Sequence, residues 1–290
     1  MQYSTLCGNK VARFGFGTKR MPTEDSKRVI RLDWDIARQL IDATDAAGMN
    51  YIDTSYSDHK GEAEAFLGEK LAENPETRHY VATSFFELVD PRYEYVFQKQ
   101  LAKLGVDCID YYYLEGTCDL TRTRDIETGA VDFLFAQKEA GKIANLGFSS
   151  ELNAENLAIH LDAYPWDFVR MHVNYYDWFT RGGRECYETA CEHDMPIVAH
   201  AALRTGNVSH LKPEALALLK EHNAERTSTE WALRFVKSLD KVCTLTCNMH
   251  AVEEIEQGAA IFSDDTVLSD DEIAVLAQVA ELQRTKIPGA

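Results

Sequence analysis

Three acids and two histidines fall at or just beyond the C-terminal ends of short β-rich runs: Asp53, Asp58, Glu115, His172 and His200. Carboxyl groups gathered in a partly dry cavity repel one another, so at least one should keep its proton near neutrality and become available as a general acid. The same five side chains also make a donor set suited to a divalent cation, and so to hydrolytic, lyase or isomerase chemistry. No His-x-His or His-Glu-x-x-His spacing accompanies them, and no metal ligand is assigned. Cys247 closes the last β-rich run and is a candidate nucleophile beside His200 or His250, with simple packing as the alternative. The run Tyr175-Tyr-Asp-Trp-Phe179 either walls an apolar pocket or is buried under the following helix. Gly-rich dinucleotide, P-loop and Gly-x-Ser-x-Gly motifs are absent.

These residues need a scaffold that brings many strand ends to one place. Eight runs read as strands: 13–18, 50–54, 79–84, 108–115, 143–149, 168–174, 197–201 and 242–247. Amphipathic stretches between them read as helices over 35–47, 62–72, 92–104, 132–140, 154–163, 184–193 and 229–239. Ser228 or Thr229 is expected to cap the last of these, and Ser269-Asp-Asp-Glu272 reads as a capping box. Gly48, Gly105 and Gly141 stand where helices should stop. Eight strand–helix units in alternation predict an α/β chain folded as one (β/α)8 TIM barrel over residues 1–290, with its functional residues at the C-terminal strand ends.

Composition narrows the partners. The 290 residues carry 30 basic and 47 acidic side chains, a formal net charge of -17, which disfavours nucleic acid and anionic membrane surfaces. Hydrophobic residues make up 45% of the chain, yet no apolar run approaches a bilayer-spanning length, and the first ten residues lack the pattern of a secretory signal. Seven irregularly spaced cysteines fit free thiols in a reducing compartment, so a cytoplasmic protein acting on a small molecule is expected, of unspecified oligomeric state.

Several segments carry a family resemblance. Tyr51-Ile-Asp-Thr-Ser-Tyr-Ser-Asp-His-Lys-Gly-Glu-Ala-Glu-Ala-Phe-Leu-Gly-Glu-Lys70 resembles the active-site strand of aldo-keto reductases, and Phe14–Pro22 resembles their opening hairpin and first strand. Leu101–Glu115, Gly141–Ser150 and Trp166–Asp177 are similar to the segments carrying strands four, five and six. The likeness extends from near residue 14 to the end. It points to the branch that often carries a ferredoxin-like tail; the chain stops at Lys286–Ala290 without clustered cysteines, so no iron–sulfur cluster is expected.

The resemblance implies a catalytic Asp, Tyr, Lys and His, with the tyrosine giving a proton to a carbonyl as hydride arrives from a nicotinamide. On the matching positions the aspartate is Asp53, but the tyrosine has become Asp58, the lysine Ser84 and the histidine Glu115. Tyr56 matches a non-catalytic tyrosine of the motif. A protonated Asp58 or Glu115 would then replace the phenol, tuned by Asp53. The resemblance likewise implies that Ser149, Ser150, Asn174 and, at the glutamine position, His172 hold the nicotinamide of NADP or NAD, with His200 near a stacking position. Leu203, Arg204 and Gly206 remain from a pyrophosphate loop, whereas Glu253 and Glu254 oppose a further phosphate. Two other readings stay open: a non-redox acid/base enzyme, and a catalytically silent barrel that only binds.

Overall fold

The computed structural model describes residues 1–24, 31–119, 121–208 and 210–284. The chain opens with an antiparallel hairpin, β1 (Tyr3–Leu6) and β2 (Asn9–Ala12), turned by Cys7 and Gly8 at φ 49° and 82°. Two successive positive φ values match the twist that a two-residue hairpin loop requires. Eight parallel strands follow: β3 (Phe14–Gly17), β4 (Tyr51–Asp53), β5 (Tyr80–Phe85), β6 (Ile109–Thr117), β7 (Ile143–Ser150), β8 (Phe168–His172), β9 (Ile197–His200) and β10 (Val242–Asn248). They pair in sequence order, and β10 returns to β3 to close the barrel.

All eight predicted strands are present. The opening hairpin lies earlier than the sequence suggested: Phe14–Gly17 is barrel strand only, and the hairpin before it covers the barrel floor. Leu6 and Val11 pack there against Tyr51, Tyr111, Phe168 and Val198, and the Tyr111 hydroxyl donates to the Leu6 carbonyl at 2.9 Å. The helix after the seventh barrel strand (Ser228–Lys237) is capped by Thr227, whose hydroxyl accepts the Glu230 N–H, and not by Ser228 or Thr229. The capping box at Ser269 and Glu272 is formed.

Strand alternation sets a polarity gradient along the barrel axis, because every second residue faces inward. From floor to mouth, β6 contributes Tyr111, Tyr113 and Glu115, while β8 contributes Phe168, Arg170 and His172. β4 adds Tyr51 then Asp53, β5 adds Ala82 then Ser84, and β9 adds Val198 then His200. Aromatic and aliphatic side chains fill the floor, and charge appears only toward the C-terminal ends.

Outside the barrel the helices pack closely. Helix Glu62–Glu73 crosses helix Tyr93–Leu104 at Gly68, where a Cβ would stand 2.1 Å from the Lys103 carbonyl oxygen. Between these helices and β5, the fully buried Glu64 carboxylate accepts from Thr83, Gln100 and Lys103. No helix of the described residues is long and apolar enough to cross a membrane.

Candidate active site

The centre of the mouth is an ion pair that the sequence reading missed. Arg170, inward on β8, sends Nε and Nη2 to one oxygen of Asp53 on β4, at 3.0 and 2.9 Å. The other Asp53 oxygen accepts the Tyr113 hydroxyl at 2.8 Å, and the guanidinium lies 5.1 Å from the Tyr113 ring centre. Burial weighs against the Arg170 charge, but Asp53, Tyr113 and Glu115 outweigh it and hold its pKa above the ordinary value. Burial raises the Tyr113 phenol well above its usual range, so it stays a donor to Asp53. The signal was available: a cation at an inward-facing strand position must find a buried counter-charge, and Asp53 is inward at the same height.

Asp58 sits apart from that pair. It follows β4 in a tight turn, is 7% exposed, and accepts from Thr18 Oγ1 at 2.7 Å and Ser55 Oγ at 3.1 Å. Thr18 Oγ1 also contacts Thr54 Oγ1 at 2.9 Å. Burial pushes the Asp58 pKa up, with the nearby Asp53 charge adding to the rise and the two hydroxyls opposing it. Relative to an ordinary aspartate, Asp58 is therefore shifted toward its protonated form.

Ser84 and Glu115 form a second unit, with Ser84 Oγ donating to Glu115 Oε2 at 2.8 Å. Both line a small cavity at the mouth together with Ser55, Tyr56, Ser57 and Phe86. Tyr56 turns its ring toward Lys103, whose Nζ lies 4.8 Å from the ring centre, and not toward Asp53.

The remaining positions surround β7 to β9. Ser149 Oγ lies 3.4 Å from Arg170 Nη1, and Ser150 Oγ accepts the Leu152 N–H at 3.2 Å. Asn174 is committed to structure: its carbonyl oxygen accepts the Asp177 N–H, and its amide donates to Asp177 Oδ2. His172 and His200 stand edge to face with ring centres 4.4 Å apart. His200 Nε2 is buried without a hydrogen-bond partner, and burial, reinforced by Arg170 and His172, lowers its pKa well below the usual value. Buried polar atoms are ordinarily paired, which makes this nitrogen a candidate contact for a bound polar group or water. After β9, Leu203 leads into the turn Arg204–Gly206, where Arg204 has φ 45° and its Nε lies 2.9 Å from Asp177 Oδ1.

Three alternatives that the sequence leaves open are narrowed. Among the described residues no group of three or more His, Cys, Asp or Glu side chains is placed to hold a metal ion, so the five mouth residues do not converge as ligands. The Cys247 thiol is pushed up to about 12 by burial and by Glu254, which removes the thiolate a nucleophile needs. Trp178 and Phe179, half-buried, pack on Phe235, and Tyr175 is buried with its hydroxyl on the Val208 carbonyl, so the run is anchored on the core with only Tyr175 inside it. Residues 285–290, where a tail would begin, lie outside the described residues.

A closed parallel barrel with its polar groups gathered at the C-terminal mouth is the architecture of an enzyme-type (β/α)8 domain. The aldo/keto reductase family model matches residues 13–281, and the chain belongs to that family. Among solved structures it is similar to the holo form of aldo-keto reductase AKR11C1 from Bacillus halodurans, with 22% identity, a TM-score of 0.77, and coverage of 97% of this chain and 96% of that one. An aldo-keto reductase from Klebsiella pneumoniae in complex with NADPH gives 18% identity and a TM-score of 0.74, covering 97% and 96%. The thermostable aldo-keto reductase Tm1743, in complex with the inhibitor epalrestat, gives 18% identity and a TM-score of 0.77, covering 96% and 100%. No curated protein matches the sequence.

Proposed function

We propose that the chain is a nicotinamide-dependent oxidoreductase, placed in the cytoplasm, that interconverts a small organic carbonyl or conjugated alkene and its reduced form. Asp58 takes the part of the family's tyrosine as proton donor. The observation that carries this reading is the contrast between two neighbouring carboxyls. Asp53 is held by a guanidinium and a phenol, whereas Asp58 is buried among neutral hydroxyls. Environments that separate two carboxyls in this way assign one as fixed charge and the other as acid.

The residues present fit a nicotinamide at the β7–β9 side of the mouth. His200 offers a buried nitrogen in want of a partner; Ser149 on β7 reaches Arg170 on the intervening strand β8, and Ser150 is turned to the Leu152 N–H. His172 borders the same space, while Asn174 has its amide committed to Asp177. Arg204 and the Leu203–Gly206 turn form the adjoining rim for the pyrophosphate. The NADPH complex of the Klebsiella relative supports this choice of cofactor. When bound, the nicotinamide supplies or accepts the hydride.

The protein's own groups do the rest. Arg170 fixes Asp53 as a buried ion pair and so holds that carboxylate away from Asp58. Glu115, oriented by Ser84, presents a carboxylate on the cavity wall that can accept a hydrogen bond from a substrate hydroxyl. Phe86 and Tyr56 supply aromatic wall to the same cavity.

The test is a titration of the purified protein with NADH and NADPH, read by tryptophan fluorescence and calorimetry, followed by a screen of aldehydes, ketones and enones. Micromolar binding and nucleotide-linked turnover that Asp58→Asn abolishes are expected. No binding at millimolar nucleotide overturns the proposal in favour of a silent or non-redox barrel.

A further inference from the structure

Asp58 does not itself reach the mouth cavity, yet two serines of its own turn do. Ser55 and Ser57 both line that cavity, opposite Ser84 and Glu115. Ser55 Oγ lies 3.1 Å from Asp58 Oδ1 and 3.0 Å from Ser57 Oγ, so three oxygens form an unbroken line from the buried acid to the open space. The spacing is fixed by the backbone: the Asp58 N–H donates to the Ser55 carbonyl and the Lys60 N–H to the Ser57 carbonyl, both at 3.1 Å. On the far side, Thr18 Oγ1 holds the second Asp58 oxygen at 2.7 Å and stops the carboxyl from rotating away.

From this geometry we infer that Ser55 and Ser57 form a hydroxyl wire that delivers the Asp58 proton to a substrate oxygen in the mouth cavity. The inference rests on the assignment of Asp58 as proton donor. In the charged wire, the Asp58 O–H donates to Ser55 Oγ, the Ser55 O–H to Ser57 Oγ, and the Ser57 O–H to the substrate oxygen. As that oxygen gains electron density from the incoming hydride, each of the three O–H bonds breaks and one forms to the next oxygen along. The substrate oxygen becomes a hydroxyl, both serines remain neutral, and Asp58 is left as a carboxylate. The wire then points inward, so that Ser55 and Thr18 each donate to one carboxylate oxygen and stabilise the product state. Reprotonation from water in the emptied cavity reverses the wire.

The connection can be read without turnover. In apoprotein labelled with 13C at the aspartate carboxyls, the Asp58 resonance, assigned through Asp58→Asn, is titrated in the native protein and in variants. Ser55→Ala should raise the Asp58 midpoint by about one unit, the loss of one hydrogen bond to the charged form. Ser57→Ala should raise it by a smaller amount, because Ser57 polarises Ser55, while the remote Ser263→Ala should leave it in place. An Asp58 midpoint unmoved by Ser57→Ala overturns the wire. With 4-nitrobenzaldehyde and NADPH, Ser57→Ala should lower kcat about tenfold or more with KM and nucleotide binding intact; full kcat in that variant also overturns it. A native-like Asp58→Asn enzyme, or a protein that binds no nucleotide, overturns the parent assignment instead, and the carboxyl titration tells the two failures apart.

Discussion

Arg170 on β8 reaches across the barrel to Asp53 on β4 and places two of its nitrogens within 3.0 Å of a single carboxylate oxygen. The side chains are only 13% and 6% exposed, so each charge depends on the other for its solvation. Arg170→Met should leave a buried carboxylate uncompensated and cost about 3–5 kcal/mol of stability in urea unfolding. Adding Asp53→Asn to that variant should recover part of the loss. A double-mutant cycle with no coupling would show that the pair is not formed.

Asp58 makes stability depend on pH with a definite sign. Its folded pKa is raised above the unfolded value, so between the two the native state binds more protons than the unfolded chain, and stability falls as pH rises. The contribution is intact below the unfolded pKa of about 4 and is lost as pH climbs through the folded pKa. Asp58→Asn, which keeps one acceptor oxygen and turns an amide NH2 toward the other hydroxyl, should therefore be more stable than the native protein at pH 7–8 and lose that advantage near pH 4. Thermal unfolding across this range measures it; a constant difference between the two proteins refutes the linkage.

Gly68 lets two helices touch backbone to backbone, with no space for a methyl group against the Lys103 carbonyl. Gly68→Ala should force helices Glu62–Glu73 and Tyr93–Leu104 apart and cost about 1–3 kcal/mol, despite the higher helix propensity of alanine. A rise in melting temperature would contradict this packing.

Glu254 lies in the first turn of helix Val252–Ile261, where it accepts the His250 N–H at 2.9 Å and pairs with its ring. A carboxylate there should disfavour the extra phosphate of NADPH relative to NADH. Glu254→Gln should shift the ratio of dissociation constants toward NADPH by about three- to fivefold, the scale of one charge at a helix N-terminus. Equal effects on both nucleotides would move the adenosine site elsewhere.

Much of the barrel was legible because its signals are local. Each β-branched or aromatic run bounded by a helix pattern became a strand, with ends displaced by only a few residues, and the Ser269–Glu272 box formed as read. The cap at Thr227 was misplaced by one residue because Thr227, Ser228 and Thr229 are all competent and only backbone geometry chooses among them. The site was less legible. Asp53, Asp58, Ser84 and Glu115 all lie toward the C-terminal end of the barrel, but their division into three separate groups depends on Arg170, Tyr113 and Thr18, which come from segments distant in sequence from Asp53 and Asp58. Arg170 had the pattern of an inward charge on β8, and its partner became evident only once the barrel set β4 and β8 at the same height.

The floor hairpin has a temporal consequence. The Gln2 N–H is bound to the Phe262 carbonyl at 2.8 Å, its side chain reaches Asp264 and Asp265, and β3 pairs with β4 and the late strand β10. A chain emerging from the ribosome therefore carries an unsealed edge until almost all of it has been synthesised. Closure joins segments more than 200 residues apart, and loop-closure entropy makes such contacts slow to form. During that interval β3 is open to mispairing, and the brief, four-residue length of β3 limits how much foreign strand it can capture.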